Sequence, residues 1–294
     1  MVHGIDHLVL PVRDLAVARA RLSALGFTVA PDALHPFGTK NACVFFQNRT
    51  YIEPLAVANR IQMEENARKG YVFLRRFDAY RFRCGPEGFS KLALTTEDAD
   101  ADRARLDEAG YGGGPVFPFE RKAVAADGSE TTIGVRLAFA LDERSPDMTL
   151  FCCQHIGTEG FWAPKNTTHG NGALGIAEVF AAEENPSDFQ YDLEVVTGER
   201  GIHASSLGIH AELPKGAFSI VTPTAFRMIF GRDAKLSGRG PRLSAFVVTV
   251  VDLTRVKALL TENGVAFEER GSRIVVAPAP GLATVLAFQE NSAS

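Results

Sequence analysis

Residues able to do chemistry are spread along the 294-residue chain and make no compact motif. His7 sits in the apolar run IDHLVL and Glu53 in the run YIEPLAV. An imidazole and a carboxylate are the commonest general acid–base groups and good ligands for a divalent ion. Lys91 follows GFS at the start of another apolar run. A buried lysine can act as a base with a lowered pKa or pair with Glu53; an exposed one is only surface charge. His35, Thr39 and Asn41 share the segment HPFGTKN, where polar side chains set ligand orientation if the loop covers a cleft. Pro36 and Gly38 give the same segment ordinary turn chemistry. His155 ends the run TLFCCQH, and Trp162 follows it as a candidate cap over a cleft or as linker packing. Cys152 and Cys153 alternate across a strand, so one must face inward as a buried thiol. His169 belongs to a turn-rich linker, and His203 and His210 have no carboxylate at useful spacing, which makes them structural.

The elements that must position these groups are legible from periodicity. Ile5–Leu10 is a short apolar strand, and Asp14 is placed to cap a helix whose Leu15, Ala18, Leu22 and Leu25 recur at helical spacing. Gly26 is placed to end it. Phe27–Ala30 reads as a strand, Pro31–Asn41 as a loop, and Cys43–Gln47 and Tyr51–Val57 as two further strands. The unit is therefore strand, helix, then three strands.

That unit recurs. GIDHLVLPVRDLAVARARLSALGF, from Gly4, aligns without gaps on GFSKLALTTEDADADRARLDEAGY, from Gly88, with Asp14 on Asp98 and Gly26 on Gly110. A third copy puts Asp252, Leu260 and Gly264 on Asp14, Leu22 and Gly26. A repeated supersecondary unit fixes an architecture better than any single residue does. The polar stretch Asn59–Phe82 reads as a helical connector with a solvated face. Val116–Val124, Thr132–Leu141 and Met148–His155 complete the second unit, with Asp127–Gly128 as a hairpin turn. Gly157–Gly172 is rich in Gly, Pro, Asn and Thr and marks a boundary. Beyond it, Leu174–Ala182, Ile202–Leu213, Phe218–Thr222 and Phe226–Phe230 read as strands, with room for only a short helix around NPSDFQYD. The last unit, Leu243–Gln289, is regular again. The expected fold class is α+β, with four βαβββ units in two pairs and curved, mostly antiparallel sheets around a cleft. The expected division is 1–157, a linker at 158–172, and a more divergent pair at 173–294.

Bulk properties narrow the function. A net charge of −4 leaves no basic footprint for nucleic acid. No apolar run is long enough to span a membrane, and MVHGIDH lacks the basic and apolar regions of a signal peptide. Four cysteines without a CxxC pair suit reduced thiols in a cytoplasmic chain. Aromatic content dominated by 21 Phe suits a packed β core or an apolar pocket for a small molecule.

A paired βαβββ unit opening with IDHLVLPVRDLAVARARLSALGF resembles the vicinal oxygen chelate superfamily of glyoxalases, bleomycin-resistance proteins and extradiol dioxygenases. HPFGTKN, YIEPLAV, CQH and HGNGALGI are similar to its glyoxalase-like domain group of bacterial proteins. The resemblance implies a cleft between two units and a divalent metal (Zn, Fe, Mn, Co or Ni) held from the first and last strands of each. It implies His7 and Glu53 as ligands, with His155 as a third, and no nucleotide cofactor. It admits a homodimer. The implied activity is that of a lyase or isomerase acting on a carbonyl or vicinal-oxygen compound, with Glu53 and Lys91 as proton-handling groups and His35, Thr39, Asn41 and Trp162 around the substrate. The alternative is a non-catalytic protein that sequesters a ligand. An extradiol-type dioxygenase is less favoured. The repeat places Lys91 on His7 in the second unit and Ala245 there in the fourth, so no four-ligand set can be matched.

Overall fold

The computed structural model describes residues 1–124, 130–236 and 238–291, so the Asp127–Gly128 turn lies outside the described residues. The first unit is β1 (Ile5–Pro11), α1 (Leu15–Ala24), β2 (Ala33–Leu34), β3 (Thr39–Asn41), β4 (Val44–Phe45) and β5 (Tyr51–Val57). Two helices follow, α2 (Arg60–Arg68) and α3 (Val72–Cys84). The second unit is β6 (Lys91–Thr96), α4 (Ala99–Glu108), β7 (Phe117–Val124), β8 (Glu130–Ala140) and β9 (Thr149–Ile156). A 3₁₀ turn at Glu159–Trp162 and α5 (Pro164–Thr167) lead to β10 (Ala173–Ala182), α6 (Gln190–Thr197), β11 (His203–Ser205), β12 (Gly208–Leu213) and β13 (Gly216–Val221). Then come α7 (Pro223–Phe230), β14 (Arg242–Val250), α8 (Leu253–Glu262), β15 (Phe267–Arg270), β16 (Arg273–Val276) and β17 (Val285–Glu290).

Each pair of units forms one curved sheet, ordered β2-β3-β5-β1-β6-β9-β8-β7 and β11-β12-β13-β10-β14-β17-β16-β15. Ladders are antiparallel except where the first and last strands of a unit lie side by side: β1 with β5, β6 with β9, β10 with β13, and β14 with β17. The repeated residues do the same work in each copy. Asp14, Asp98 and Asp252 each accept a backbone N–H at the start of their helix. Gly26, Gly110 and Gly264 each follow a helix with positive φ.

The outward face of the first sheet, with Leu8, Leu92 and Cys152, joins a core that also holds Val179, Phe246 and Phe288 of the second half. The inward face, with Val9, Ala93 and Phe151, packs with Phe73, Leu74 and Phe77 of α3. The 59–82 connector is therefore not a solvated strut. Its apolar residues close one end of the cleft, and its many charges had masked that face. The second sheet's inward face is filled by Phe226 and Phe230 of α7, against Phe180, Ala245 and Ala287.

Four further expectations are corrected. Phe226–Phe230 is helical, because Thr222 caps Ala225 N–H, Pro223 opens the helix and Gly231 ends it in the left-handed region. Residues 27–30 make no strand, because their backbone groups are taken by other partners: Arg19 donates to the Val29 and Ala30 carbonyls, and His169 Nδ1 accepts the Thr28 N–H. The 31–41 loop contains the β2–β3 hairpin, and a turn splits 202–213 into β11 and β12. Among the described residues no helix is long and apolar enough to cross a membrane.

Candidate active site

β1 pairs with β5 on one side and β6 on the other, so His7 and Val9 share a face with Tyr51 and Glu53, and with Ala93 and Lys91. On the far side of β6, Lys91 pairs with Thr149, Ala93 with Phe151 and Thr95 with Cys153. This face floors a cavity of about 380 Å³. Its walls are mainly apolar, with Phe37, Phe73, Phe117 and Phe119 among them, and its polar lining includes His7, His35, Asn41, Glu53 and His155.

A continuous polar chain crosses the floor. His7 Nε2 faces Glu53 Oε2 at 3.7 Å. Asn41 Nδ2 donates to Glu53 Oε1 at 2.7 Å and lies 3.2 Å from His35 Nε2. His35 Nδ1 lies 2.8 Å from Thr39 Oγ1. On the other side His7 Nδ1 donates to Asp6 Oδ1 at 2.5 Å. His155 Nε2 lies 3.0 Å from both Asp6 oxygens and 3.7 Å from Cys153 Sγ. The His7 ring stacks on Tyr51 at 4.3 Å and meets the edge of Phe151 at 5.5 Å.

Asp6 escaped the sequence reading. Strict alternation from His7 turns it to the opposite face, but a register shift between Ile5 and His7 brings it into the polar chain. The available signal was the acidic residue between two histidines in HGIDH, inside an otherwise apolar strand. Burial alone would raise the Asp6 pKa. The charge and hydrogen bond of His155, then those of His7, outweigh it and hold the carboxyl well below the usual carboxylate range. Burial disfavours the His155 imidazolium, but Asp6 overrides it and raises His155 well above an ordinary imidazole. Cys153 is pushed up to about 11 by burial and stays a thiol at neutral pH.

Lys91 is fully buried and is not among the cavity's lining residues. Its Nζ lies 4.7 Å and 5.1 Å from the Phe73 and Phe77 ring centroids and 3.4 Å from Ser90 Oγ. Burial lowers its pKa to about 7, with the Glu53 charge opposing. Thr39 is buried behind His35 rather than lining the cavity. Trp162 packs on Phe45 at 5.5 Å, while its neighbour Phe161 lines the cavity. His169 joins the linker to the first unit, accepting from Thr28 N–H and donating to the Phe45 carbonyl. His210 does have carboxylate partners: Glu212 at 2.9 Å and, from β10 on the far side of β13, Glu178 at 3.5 Å.

The register gives His7 and Glu53 their counterparts in the other units. His7 opposes Ala93 as Lys91 opposes Val9, so Lys91 is the counterpart of His7. Tyr51 and Glu53 then correspond to Thr149 and Phe151. His155 lies further along β9 than the counterpart of Glu53. In the second sheet the same positions carry Glu178, Ser219, Ala245 and Ala287.

Two ligand atoms on one ion with bonds of roughly 2.1 Å stand about 3–3.6 Å apart. His7 Nε2 and Glu53 Oε2, 3.7 Å apart, fit that need with a shift of about a tenth of an ångström. Phe151 offers no donor, and Lys91 offers an amine directed at aromatic rings. Among the described residues, the triads whose ligand atoms all lie within 4.8 Å of one another are Asp6–Cys153–His155 and, on the opposite face, His3–Asp102–Cys152. His7 and Glu53 fall in neither.

Comparison with known proteins bears on the whole chain. The glyoxalase-like domain family model matches residues 5–197. No curated protein matches the sequence. A hypothetical protein from Staphylococcus aureus superposes with TM-score 0.69 at 13% identity, covering 99% of this chain and 100% of that one. A mutant 4-hydroxymandelate synthase from Streptomyces coelicolor gives 0.59 at 13% identity, covering 100% and 94%. The Mn(II)-bound glyoxalase from Novosphingobium aromaticivorans gives 0.55 at 12% identity, covering 98% and 82%. At these identities the likeness is one of fold, the paired-module vicinal oxygen chelate fold.

Proposed function

The chain belongs to the glyoxalase-like domain family, and from that premise we propose that its N-terminal pair of units, residues 1–157, is a small-molecule enzyme of lyase or isomerase type, acting on a carbonyl or vicinal-oxygen compound with a divalent metal. The observation that carries the reading is the facing of His7 Nε2 and Glu53 Oε2 on the floor of a Phe-walled cavity. These two residues would hold an ion of the Zn, Fe, Mn, Co or Ni group. Such an ion supplies polarisation of a substrate carbonyl, which acidifies the neighbouring C–H.

The chain's own residues do the rest. Phe37, Phe73, Phe117 and Phe119 bind the apolar part of the substrate and exclude water. Asn41, steadied by His35 and Thr39, keeps Glu53 turned to the floor, where it is placed to accept a proton from a substrate carbon. His155 sits at the other end of the polar chain as a protonated imidazole whose Nε2–H is held by Asp6. Lys91 acts on Glu53 through space and does not reach the substrate.

Elemental analysis of the purified protein, with and without chelator, tests this directly. Near-stoichiometric metal that is lost in His7→Ala and in Glu53→Gln supports the enzyme. A second reading, a protein that sequesters an aromatic ligand, is favoured by Lys91 and Phe151 standing at the counterpart ligand positions. It expects no metal under any loading and ligand binding that survives chelator.

A further inference from the structure

We propose that Asp6 is the positioning residue of this site. It fixes His7 as the tautomer with its proton on Nδ1, and so turns the Nε2 lone pair toward Glu53. The inference rests on the reading of His7 as a ligand, but its core is a statement about hydrogen bonds that holds with or without an ion.

A carboxylate only accepts hydrogen bonds. Asp6 Oδ1 lies 2.5 Å from His7 Nδ1, so that nitrogen carries the proton. Nε2 of the same ring looks at Glu53 Oε2 across 3.7 Å, too far for a hydrogen bond and close to the span of two ligands on one ion. The ring cannot turn freely, because Tyr51 stacks on one face at 4.3 Å and Phe151 meets it edge-on. A carboxylate on the distal nitrogen is the usual device for aiming a ligating histidine.

Asp6 is fixed in turn. It is 2% exposed, and both its oxygens lie 3.0 Å from His155 Nε2, which must therefore also carry a proton. That bond occupies the His155 nitrogen nearest the site. The other, Nδ1, is buried without a partner. His155 thus serves Asp6 rather than the ion. The competing arrangement uses the same atoms differently: an ion inside Asp6–Cys153–His155, taking Asp6 and a Cys153 thiolate as direct ligands.

Two measurements separate these. Histidine ¹⁵N–¹H correlation spectra of the apo wild type report the tautomer of His7. We expect Nδ1–H; Nε2–H would overturn the proposal without any variant being made. Cobalt(II) titration then reports the ligands. We expect binding without a thiolate-to-cobalt charge-transfer band and unaltered by Cys153→Ser. In Asp6→Asn, whose amide cannot accept from both imidazoles at both of its ends, we expect the His7 tautomer to become mixed and the cobalt affinity to fall about 10–100-fold. A thiolate band abolished by Cys153→Ser would overturn the proposal in favour of the competing triad. Unchanged affinity and tautomer in a folded Asp6→Asn would also overturn it. If the wild type takes up no cobalt, the assignment of His7 and Glu53 as metal ligands fails, and the tautomer alone decides on Asp6.

Discussion

Glu53 and Lys91 flank Val9, each paired with it from the neighbouring strand, and both side chains enter the same face of the sheet. One ends in the cavity. The other ends beneath it, sealed by Phe73 and Phe77. An ammonium stripped of water and given aromatic faces and one hydroxyl is held at a cost, and it offsets Glu53 only through space.

That cost should show in the pH dependence of stability. Burial lowers the Lys91 pKa from 10.5 to about 7, against the opposing pull of Glu53. The unfolded chain therefore binds more protons than the folded one between these values, and stability rises with pH across that window. Below pH 7 both states are protonated and the penalty is constant. We expect Lys91→Met, which keeps the length and apolar stem, to be more stable than wild type by about 2–4 kcal/mol at pH 7, converging by pH 10. Denaturant titrations of both proteins from pH 7 to 10 check this; parallel curves would refute it.

Asn41 gives a second handle, because its amide donates to Glu53 Oε1 at 2.7 Å. Asn41→Asp replaces that donor with a second carboxylate 2.7 Å away. Like charges at that distance cannot both ionise without penalty, so the pair should retain a proton toward neutrality. We expect a loss of about 1–3 kcal/mol at pH 7 that is recovered on acidification or by adding a divalent ion. Thermal melts at two pH values, with and without manganese, read both effects.

Much of this frame is legible in the chain. The capping aspartates, the terminal glycines and the match of Lys91 with His7 all follow from a gap-free repeat, and the strand pairing repeats that match. What escaped depends on departures from periodicity or on distant partners. A one-residue shift brings Asp6 into the site. His155 stands beyond the counterpart of Glu53 because β8 and β9 have their own lengths, which no repeat encodes. Helices α2 and α3 are amphipathic, but their partner is a sheet face formed by strands on both sides of them in the sequence. Helix α7 shows how Phe, Met and Ile read as strand until Pro223 and Gly231 are given their positional meaning.

Phe73 links the cavity to the buried lysine, lining the one and covering the other. We expect Phe73→Leu to cost about 1–2 kcal/mol through lost packing and to admit water to the ammonium. The Lys91 pKa should then rise toward its ordinary value, because burial is the main cause of its depression. Reductive methylation at pH 7.5 followed by peptide mapping distinguishes the cases: accessible Lys91 in the variant and protected Lys91 in the wild type.

The hairpin that carries His35 is seated by Gly38. Its φ of +95° lies in the left-handed region, and its carbonyl accepts the N–H groups of Ala58 and Asn59 at 2.9 and 3.0 Å. A Cβ there would stand 2.6 Å from the Asn59 carbonyl oxygen and from the Met63 nitrogen, both backbone atoms that cannot swing aside. Gly38→Ala must therefore push the hairpin off the first turn of α2. We expect a loss of about 1–3 kcal/mol from the strained backbone. We also expect a larger effect on the site than on the fold, because His35 and Thr39 would move away from Asn41 and leave Glu53 less firmly held. Metal affinity measured beside melting temperature separates the two. A variant that melts lower but binds cobalt as tightly as wild type would show that the His35 hairpin is not part of the site's support.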